Sequence, residues 1–366
     1  MAPIGVGIVG LSAKRGWAAT AHVPALSRLD GFELRALSAS SAESARAAAD
    51  KYGVPRSRAF GSAAELAAAD EVELVVVTVK VPDHREIIES ALAAGKTVLS
   101  EWPLGNGLAE AEELAAEAEA RGVRGFVGLQ ARYAPAVRYL RDLVADGYVG
   151  EVLSTSVIGS GRNWGAEWPT SGGYLLDPAN GATMLTIPMG HTLDGIASVL
   201  GEFDEKAPLG AVTANRRSSV RDPETGEAVP QLVDDQIAVA GTLASGAVAS
   251  VHYRGGLSRG TNFLWEINGT EGDLLVTAPD GSLQLTEASL RGGRGEAAEL
   301  TELPVPERYF EEVPAIAGLR GQPGYNVGAA YAQIGRDLAE GTSLAPDFAH
   351  AVRHQRLLDR IGHGGR

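Results

Sequence analysis

The chain has 366 residues, 45% of them hydrophobic and 21% charged, a composition suited to a globular protein with room for two domains, or three. Its formal charge of −14, with no Lys/Arg run, disfavours binding to a nucleic-acid backbone. The absence of cysteine excludes disulfides, zinc–thiolate sites and a Cys nucleophile.

Residues 1–129 alternate short apolar runs with Ala-rich helical stretches. The runs are Ile4–Gly10, Glu33–Leu37, Leu74–Val79, Thr97–Ser100 and Gly125–Leu129. Their β-branched content without polar alternation predicts strands buried on both faces. Helices are predicted over Ser41–Tyr52, Arg85–Ala94 and Leu108–Arg121, each closed by a glycine. Such repetition predicts a doubly wound parallel sheet of the Rossmann type, an α/β class. From residue 130 the texture changes. A helix is expected over Pro135–Asp146 and an alternating strand over Glu151–Ser160. Arg216–Pro230 reads as an exposed polar loop. Strands then follow at Gln236–Leu243, Ala247–Tyr253, Phe263–Asn268, Asp273–Thr277 and Ser282–Thr286, separated by Gly-containing turns. Helices are expected over Val327–Glu340 and Phe348–Ile361. The expected division is thus a doubly wound α/β domain over 1–129 and, over 130–366, an α+β domain with a large, open, mostly antiparallel sheet. No run of about 18 apolar residues is present to span a membrane. The start of the chain lacks the pattern of a secretory signal, so a cytoplasmic location is expected.

The first strand leads into Gly7-Ile8-Val9-Gly10-Leu11-Ser12-Ala13-Lys14-Arg15-Gly16-Trp17. A glycine turn at that place lets backbone approach a pyrophosphate, and the following helix favours the anion. The loop is not a regular G-x-G-x-x-G, since Ser12 stands where a second glycine is usual. A tight turn with no ligand is the plainer alternative.

Further segments agree with a family. They are Ala21-His22-Val23-Pro24-Ala25-Leu26, Pro82-Asp83-His84, Gly95-Lys96-Thr97-Val98-Leu99-Ser100-Glu101-Trp102-Pro103, Gly128-Leu129-Gln130, Gly190-His191-Thr192 and Glu266-Ile267-Asn268-Gly269-Thr270-Glu271-Gly272. In order and spacing, over most of its length, the chain resembles the Gfo/Idh/MocA oxidoreductases. Within that family it is similar to the branch that contains the galactose repressor Gal80 and its bacterial relatives. The branch likeness lies in the lengthened loop with Gly10-Leu11, Lys14 and Gly16-Trp17, in the Glu101-Trp102 pair and in Gly190-His191-Thr192.

The resemblance implies that a nicotinamide dinucleotide and a sugar or polyol meet between two domains, where hydride moves between substrate carbon and nicotinamide. The expected cofactor contacts begin with Gly7, Gly10, Leu11, Ser12, Lys14, Gly16 and Trp17. They continue at the ends of later strands with Ser38, Ser40, Thr78, Lys80, His84, Glu101, Trp102 and Gln130. His84 alternatively caps a helix, and His22 reads as a packed helix residue rather than a catalyst. The second strand ends Leu37-Ser38-Ala39-Ser40-Ser41, without the acid that usually binds the ribose of NAD. Serines with Lys14, Arg15 or Arg46 nearby accommodate a 2′-phosphate, so NADP is slightly favoured over NAD.

The chain departs from the family at two places. Trp102 replaces the lysine of Glu-Lys-Pro, and an indole cannot transfer that proton. The stretch Thr183–Met189 also lacks the acid usual before the histidine. His191 remains as a candidate acid–base or substrate-binding group, or alternatively as a helix-start residue. Asp194 could orient it or face solvent. Lys80, one of only five lysines against 27 arginines, is the second catalytic candidate, provided that it is partly desolvated; otherwise it is a solvated lysine or a phosphate contact. Arg132, Asn163, Trp164, Asp177 and Asn180 are substrate candidates, with an interdomain or loop-supporting role for them equally open. His350 and His354 share a helix face, but no third ligand accompanies them, so no metal is expected. The expected function is an NAD(P)-dependent oxidoreductase acting on a carbohydrate-like small molecule. A non-catalytic, dinucleotide-binding regulator that grips a protein partner is the alternative. A homodimer or homotetramer is expected, with no nucleic acid or membrane as partner.

Overall fold

A computed structural model describes residues 2–364. The chain divides into two compact units, residues 1–129 with 313–355 and residues 130–312 with 356–366. The second unit does not run unbroken to the C-terminus, since 313–355 belong to the first.

In the first unit, six parallel strands form one sheet: β1 (Ile4–Val9), β2 (Phe32–Ser38), β3 (Ala59–Phe60), β4 (Leu74–Val77), β5 (Thr97–Glu101) and β6 (Gly125–Gly128), in the order β3-β2-β1-β4-β5-β6. This is the doubly wound dinucleotide-binding order, and its direction reverses between β1 and β4. Val6, Ile8, Leu74, Val75, Val76 and Val77 are fully buried, as strands covered on both faces require. The helices are α1 (Val23–Leu26), α2 (Ala42–Tyr52), α3 (Ala63–Ala67), α4 (His84–Ala93) and α5 (Leu108–Arg121). Ser41 caps α2 by accepting from Ser44 N at 3.1 Å, and Gly53 ends it with φ +72°. The connection Ala59–Ala67, a two-residue strand and a five-residue helix, is too short to leave a periodic signal.

The second unit carries α6 (Pro135–Ala145), α7 (Gly190–Leu200) and an eight-stranded sheet. Its strands are β7 (Val152–Gly161), β8 (Gly210–Ala214), β11 (Gln236–Thr242), β12 (Val248–Gly255), β13 (Phe263–Gly269), β14 (Gly272–Ala278), β15 (Ser289–Arg294) and β16 (Thr301–Glu302). The order is β16-β15-β14-β13-β7-β12-β11-β8, and every pair is antiparallel except β7 with β12. Alternation sets one face inward: Ala249, Val251 and Tyr253 of β12 are buried, while Val248, Ser250 and His252 are exposed.

Two expectations fail here. Ser282–Thr286 is a turn, closed by Leu285 N and Thr286 N donating to the Ser282 carbonyl, and the strand paired to β14 is β15. Arg216–Pro230 is not featureless but holds a hairpin, β9 (Ser219–Arg221) with β10 (Ala228–Pro230). The short helix α8 (Arg308–Glu311) follows the sheet, then α9 (Pro323–Glu340) and α10 (Phe348–Gly362). Asp337 of α9 is buried and ties the two long helices' connection: its carboxylate accepts from Thr342 Oγ1, Leu344 N and Ala345 N at 2.6, 2.9 and 2.7 Å.

Candidate functional site

In the first unit, β1, β4 and β5 deliver their carboxyl ends to one edge of the sheet. Gly10 has φ +96°, and a Cβ there would lie 2.9 Å from Val79 Cγ1 and 3.0 Å from the Thr78 carbonyl oxygen. Only glycine fits this left-handed, crowded position. Gly10 N and Leu11 N both donate to the Ser38 carbonyl, at 3.0 and 3.2 Å, which ties the loop to the end of β2. Lys51 Nζ and Tyr52 Oη of α2 hold it from the other side through the carbonyls of Ala13 (2.7 Å) and Ser12 (3.0 Å). Gly16, φ +114°, then admits Trp17 and the helical turns that follow. The Trp17 indole N–H is buried without an acceptor among the described residues. A rigid glycine turn at the sheet's switch point, with an orphaned donor beside it, fits an anionic dinucleotide.

The other expected contacts divide. Ser40 and Lys14 are exposed and open to a 2′-substituent, whereas Ser38 is buried. The Thr78 hydroxyl donates to the Val9 carbonyl at 2.8 Å, leaving its lone pairs to accept. Lys80 is exposed, just after β4. His84 is corrected. It is fully buried, with Nδ1 3.0 Å from the Pro103 carbonyl and Nε2 3.3 Å from that of Val79, so both ring nitrogens face this unit's own backbone. Burial pushes its pKa down despite those carbonyls. It braces the ends of β4 and β5. Trp102 is buried, and its ring packs 5.0 Å from that of His354 in α10. Gln355, beside it, donates to the carbonyls of Gly105 and Gly107 at 3.2 and 3.0 Å, fixing the loop after β5. Glu101, the last residue of β5, accepts from His22 Nε2 at 3.0 Å.

In the second unit His191 is buried in the first turn of α7. The carboxylate of Asp194, fully buried, accepts from Arg132 Nη2 and Nε at 2.5 and 2.9 Å. Burial opposes the charge on Arg132, but Asp194 more than offsets this and raises its pKa. Arg132 is thus paired with Asp194. Asp177 Oδ1 caps its own short turn through Ala179 N at 2.9 Å, and Asn180 donates to the Tyr174 carbonyl at 2.9 Å. Both support a loop. The buried Tyr253 hydroxyl donates to the Gly281 carbonyl at 2.9 Å and lies 2.5 Å from Thr192 Oγ1, locking α7 to β12; burial raises its pKa far above the usual tyrosine value.

Asn163 and Trp164 do share a hollow of about 300 Å³, with Arg162, Ile187, Pro188, Asp280, Ser282, Gln284, Leu285 and Thr286. Arg162 pairs with the buried Asp280 at 2.6 Å. Sequence reasoning missed this pair because its members lie 118 residues apart. It also missed Tyr331, whose hydroxyl stands 2.8 Å from His22 Nδ1, again with no local signal to reveal it. Among the described residues no cluster of His, Cys, Asp and Glu could hold a metal, and no helix is long and apolar enough to cross a membrane.

Comparison with known proteins agrees with this geometry. Residues 4–129 match the model of the oxidoreductase family with an NAD-binding Rossmann fold, and residues 135–278 match that of the C-terminal domain of Gal80p. The galactose/lactose metabolism regulatory protein GAL80 of Saccharomyces cerevisiae is 29% identical over 306 residues, 79% of this chain and 70% of that protein. Dehydrogenase aclE of Aspergillus oryzae is 39% identical over 204 residues, 55% of this chain and 56% of that protein. The crystal structure of a super-repressor mutant of Gal80p from S. cerevisiae superposes with a TM-score of 0.86 at 26% identity, covering 100% of this chain and 96% of that one.

Proposed function

The chain belongs to the Gfo/Idh/MocA family, near Gal80, and on that premise we propose that it is an NAD(P)-dependent oxidoreductase of a sugar or polyol-like substrate. The observation that carries the reading is the glycine turn at the β1/β4 switch point, where Gly10 tolerates no side chain and the Trp17 N–H has no acceptor among the described residues. A nicotinamide dinucleotide, when bound, supplies the hydride chemistry. Gly7 to Trp17 cradle its phosphates, Glu101 accepts from a hydroxyl, and Ser40 with Lys14 receives the adenosine end, NADP ahead of NAD. With Trp102 unable to act, His191 exchanges the proton at the substrate oxygen, and Lys80 holds substrate or cofactor. Asn163 and Trp164 contribute to the carbohydrate pocket. Thermal shift with NAD, NADH, NADP and NADPH tests the first step. A ligand held by the native state alone at 100 times its Kd adds about 2.7 kcal/mol, and no shift with any of the four at millimolar concentration would refute it. A screen of sugars and polyols, followed by reduced-cofactor absorbance, tests the second.

One observation favours a second reading. Trp102 fills the place of the lysine and is buried against His354, and the regulator GAL80 is similar over most of the chain. Firm dinucleotide binding with no turnover of any substrate would make a regulator acting through a protein partner the better account.

A further inference from the structure

His22 is fully buried, and its ring closes a three-residue chain: Tyr331 Oη to Nδ1 at 2.8 Å and Nε2 to Glu101 Oε1 at 3.0 Å. The ring is gripped on three sides. It meets Tyr331 edge-on at 5.7 Å and Trp17 edge-on at 6.4 Å. Tyr331 in turn packs on Phe32 at 5.2 Å. Trp17 opens the helix after the glycine loop, so this one ring touches both that loop's end and the carboxyl end of β5.

Hydrogen-bond accounting assigns the protons. Complete burial, with the Glu101 charge nearby, keeps the Tyr331 phenol protonated by pushing its pKa well above the usual value. Its bond to Nδ1 is the one hydrogen bond its hydroxyl makes among the described residues, so the phenol proton goes to that nitrogen. An imidazole with a bare Nδ1 carries its proton on Nε2, where it meets a carboxylate. The other neutral tautomer would set a bare Nε2 against Glu101 Oε1, acceptor against acceptor. An imidazolium would fill Nδ1 and leave the buried phenol proton with no acceptor.

We propose that His22 is a positioning residue for the dinucleotide site: in its Nε2–H tautomer, fixed by Tyr331, it holds the Glu101 carboxylate in one orientation at the carboxyl edge of β5, where that carboxylate accepts from a hydroxyl of the bound dinucleotide. The inference rests on the reading that a dinucleotide binds at this edge. His22 does not touch the reacting atoms; it acts through Glu101.

The test combines binding and spectroscopy on the full chain. In the ligand-free protein, ¹⁵N-edited NMR of the imidazoles should show His22 with Nε2 protonated and Nδ1 bare. In fluorescence titrations with NADPH and NADH, His22→Met, which keeps bulk and loses the donor, should weaken binding about tenfold. His22→Gln places an amide N–H near the former Nε2 and should recover affinity to within about threefold of the parent. Circular dichroism and melting confirm that both variants are folded. A protonated Nδ1 would overturn the proposal whatever the variants do. So would a folded His22→Met that binds as the parent does, or a folded His22→Gln that binds no better than His22→Met. Failure of the parent itself to bind either dinucleotide is a different result: it refutes the reading of the site and takes the positioning role with it.

Discussion

A buried charge pair and a buried histidine set what single residues should do. Asp194 is fully buried and both its oxygens accept from Arg132. Removing one partner strands the other charge, so Asp194→Ala should destabilise the protein by about 3 kcal/mol in urea melts. The double variant Arg132→Met with Asp194→Leu should regain most of that loss, because the desolvation cost goes with the charges. A loss in the single variant no larger than that of an exposed pair would show that the ion pair is open to water. His191 lies in the same helix, α7. If it moves the substrate proton, His191→Ala should lower kcat by about 10² to 10⁴ while dinucleotide affinity stays close to the parent's. Unchanged kcat on an identified substrate would hand that role to another group. The glycine turn was legible from its place after the first strand, whereas Glu101 and His191 were pointed to by the resemblance to the family. Their partners were not. Arg132 with Asp194, Arg162 with Asp280 and His22 with Tyr331 are separated by 62, 118 and 309 residues, and nothing in local pattern says which distant polar group will satisfy a buried one.

Among the elements, legibility followed length and periodicity. The long strands and helices of the first unit were visible because burial on both faces leaves an unbroken apolar run. The strand β15, Ser289–Arg294, was missed: its sequence Ser-Leu-Arg-Gly-Gly-Arg has no β-branched residue and two glycines, and it is held by pairing with β14. The alternating Ser282–Thr286 imitates a strand but turns on itself. The hairpin β9–β10 was hidden by its brevity and polarity: Val220 is its one buried apolar residue among those described, and Asp222 ties the chain around it. That carboxylate accepts from Thr170 N at 2.8 Å and from the Thr170 hydroxyl, and from Glu224 N and Thr225 N at 2.8 and 3.3 Å. These bonds, the Thr170 hydroxyl foremost, lower its pKa from the ordinary 3.8 to about 2. A lowered pKa means the unfolded chain binds the proton more readily. The contribution is therefore fully present above pH 4 and disappears as pH falls through about 2. Asp222→Asn should lower the melting temperature at pH 7, and the gap from the parent should close between pH 4 and pH 2. A gap constant over that window would mean that the carboxylate's charge does not hold the hairpin.

At the scale of the whole molecule, the open face of the eight-stranded sheet asks to be covered. Register aligns Val212, Ala238, His252, Ile158, Leu264 and Thr277 in one row across β8, β11, β12, β7, β13 and β14. The neighbouring row holds Ala240, Ser250, Ser156, Glu266 and Leu275. Val212 is 68% exposed and Ile158 37%, and most of the side chains around them are small or hydroxylated. A broad, low-relief surface of this kind can meet a second copy of itself about a two-fold axis, where each residue faces its own row. Burying about 800 Å² per partner, the size of an ordinary stable interface, takes only part of an eight-stranded face. The protein should therefore be a dimer, or a tetramer built from such dimers, rather than a 38.0 kDa monomer. A charge at the centre of the row has no counterpart across the axis except its own copy. Ile158→Lys should accordingly set two like charges close together, and light scattering should show dissociation at concentrations where the parent stays associated. Dinucleotide affinity, proposed to lie with the other unit, should not change. A parent that runs as a clean monomer at micromolar concentration, or an Ile158→Lys variant that assembles as before, would show that this face is left to water or to a different partner.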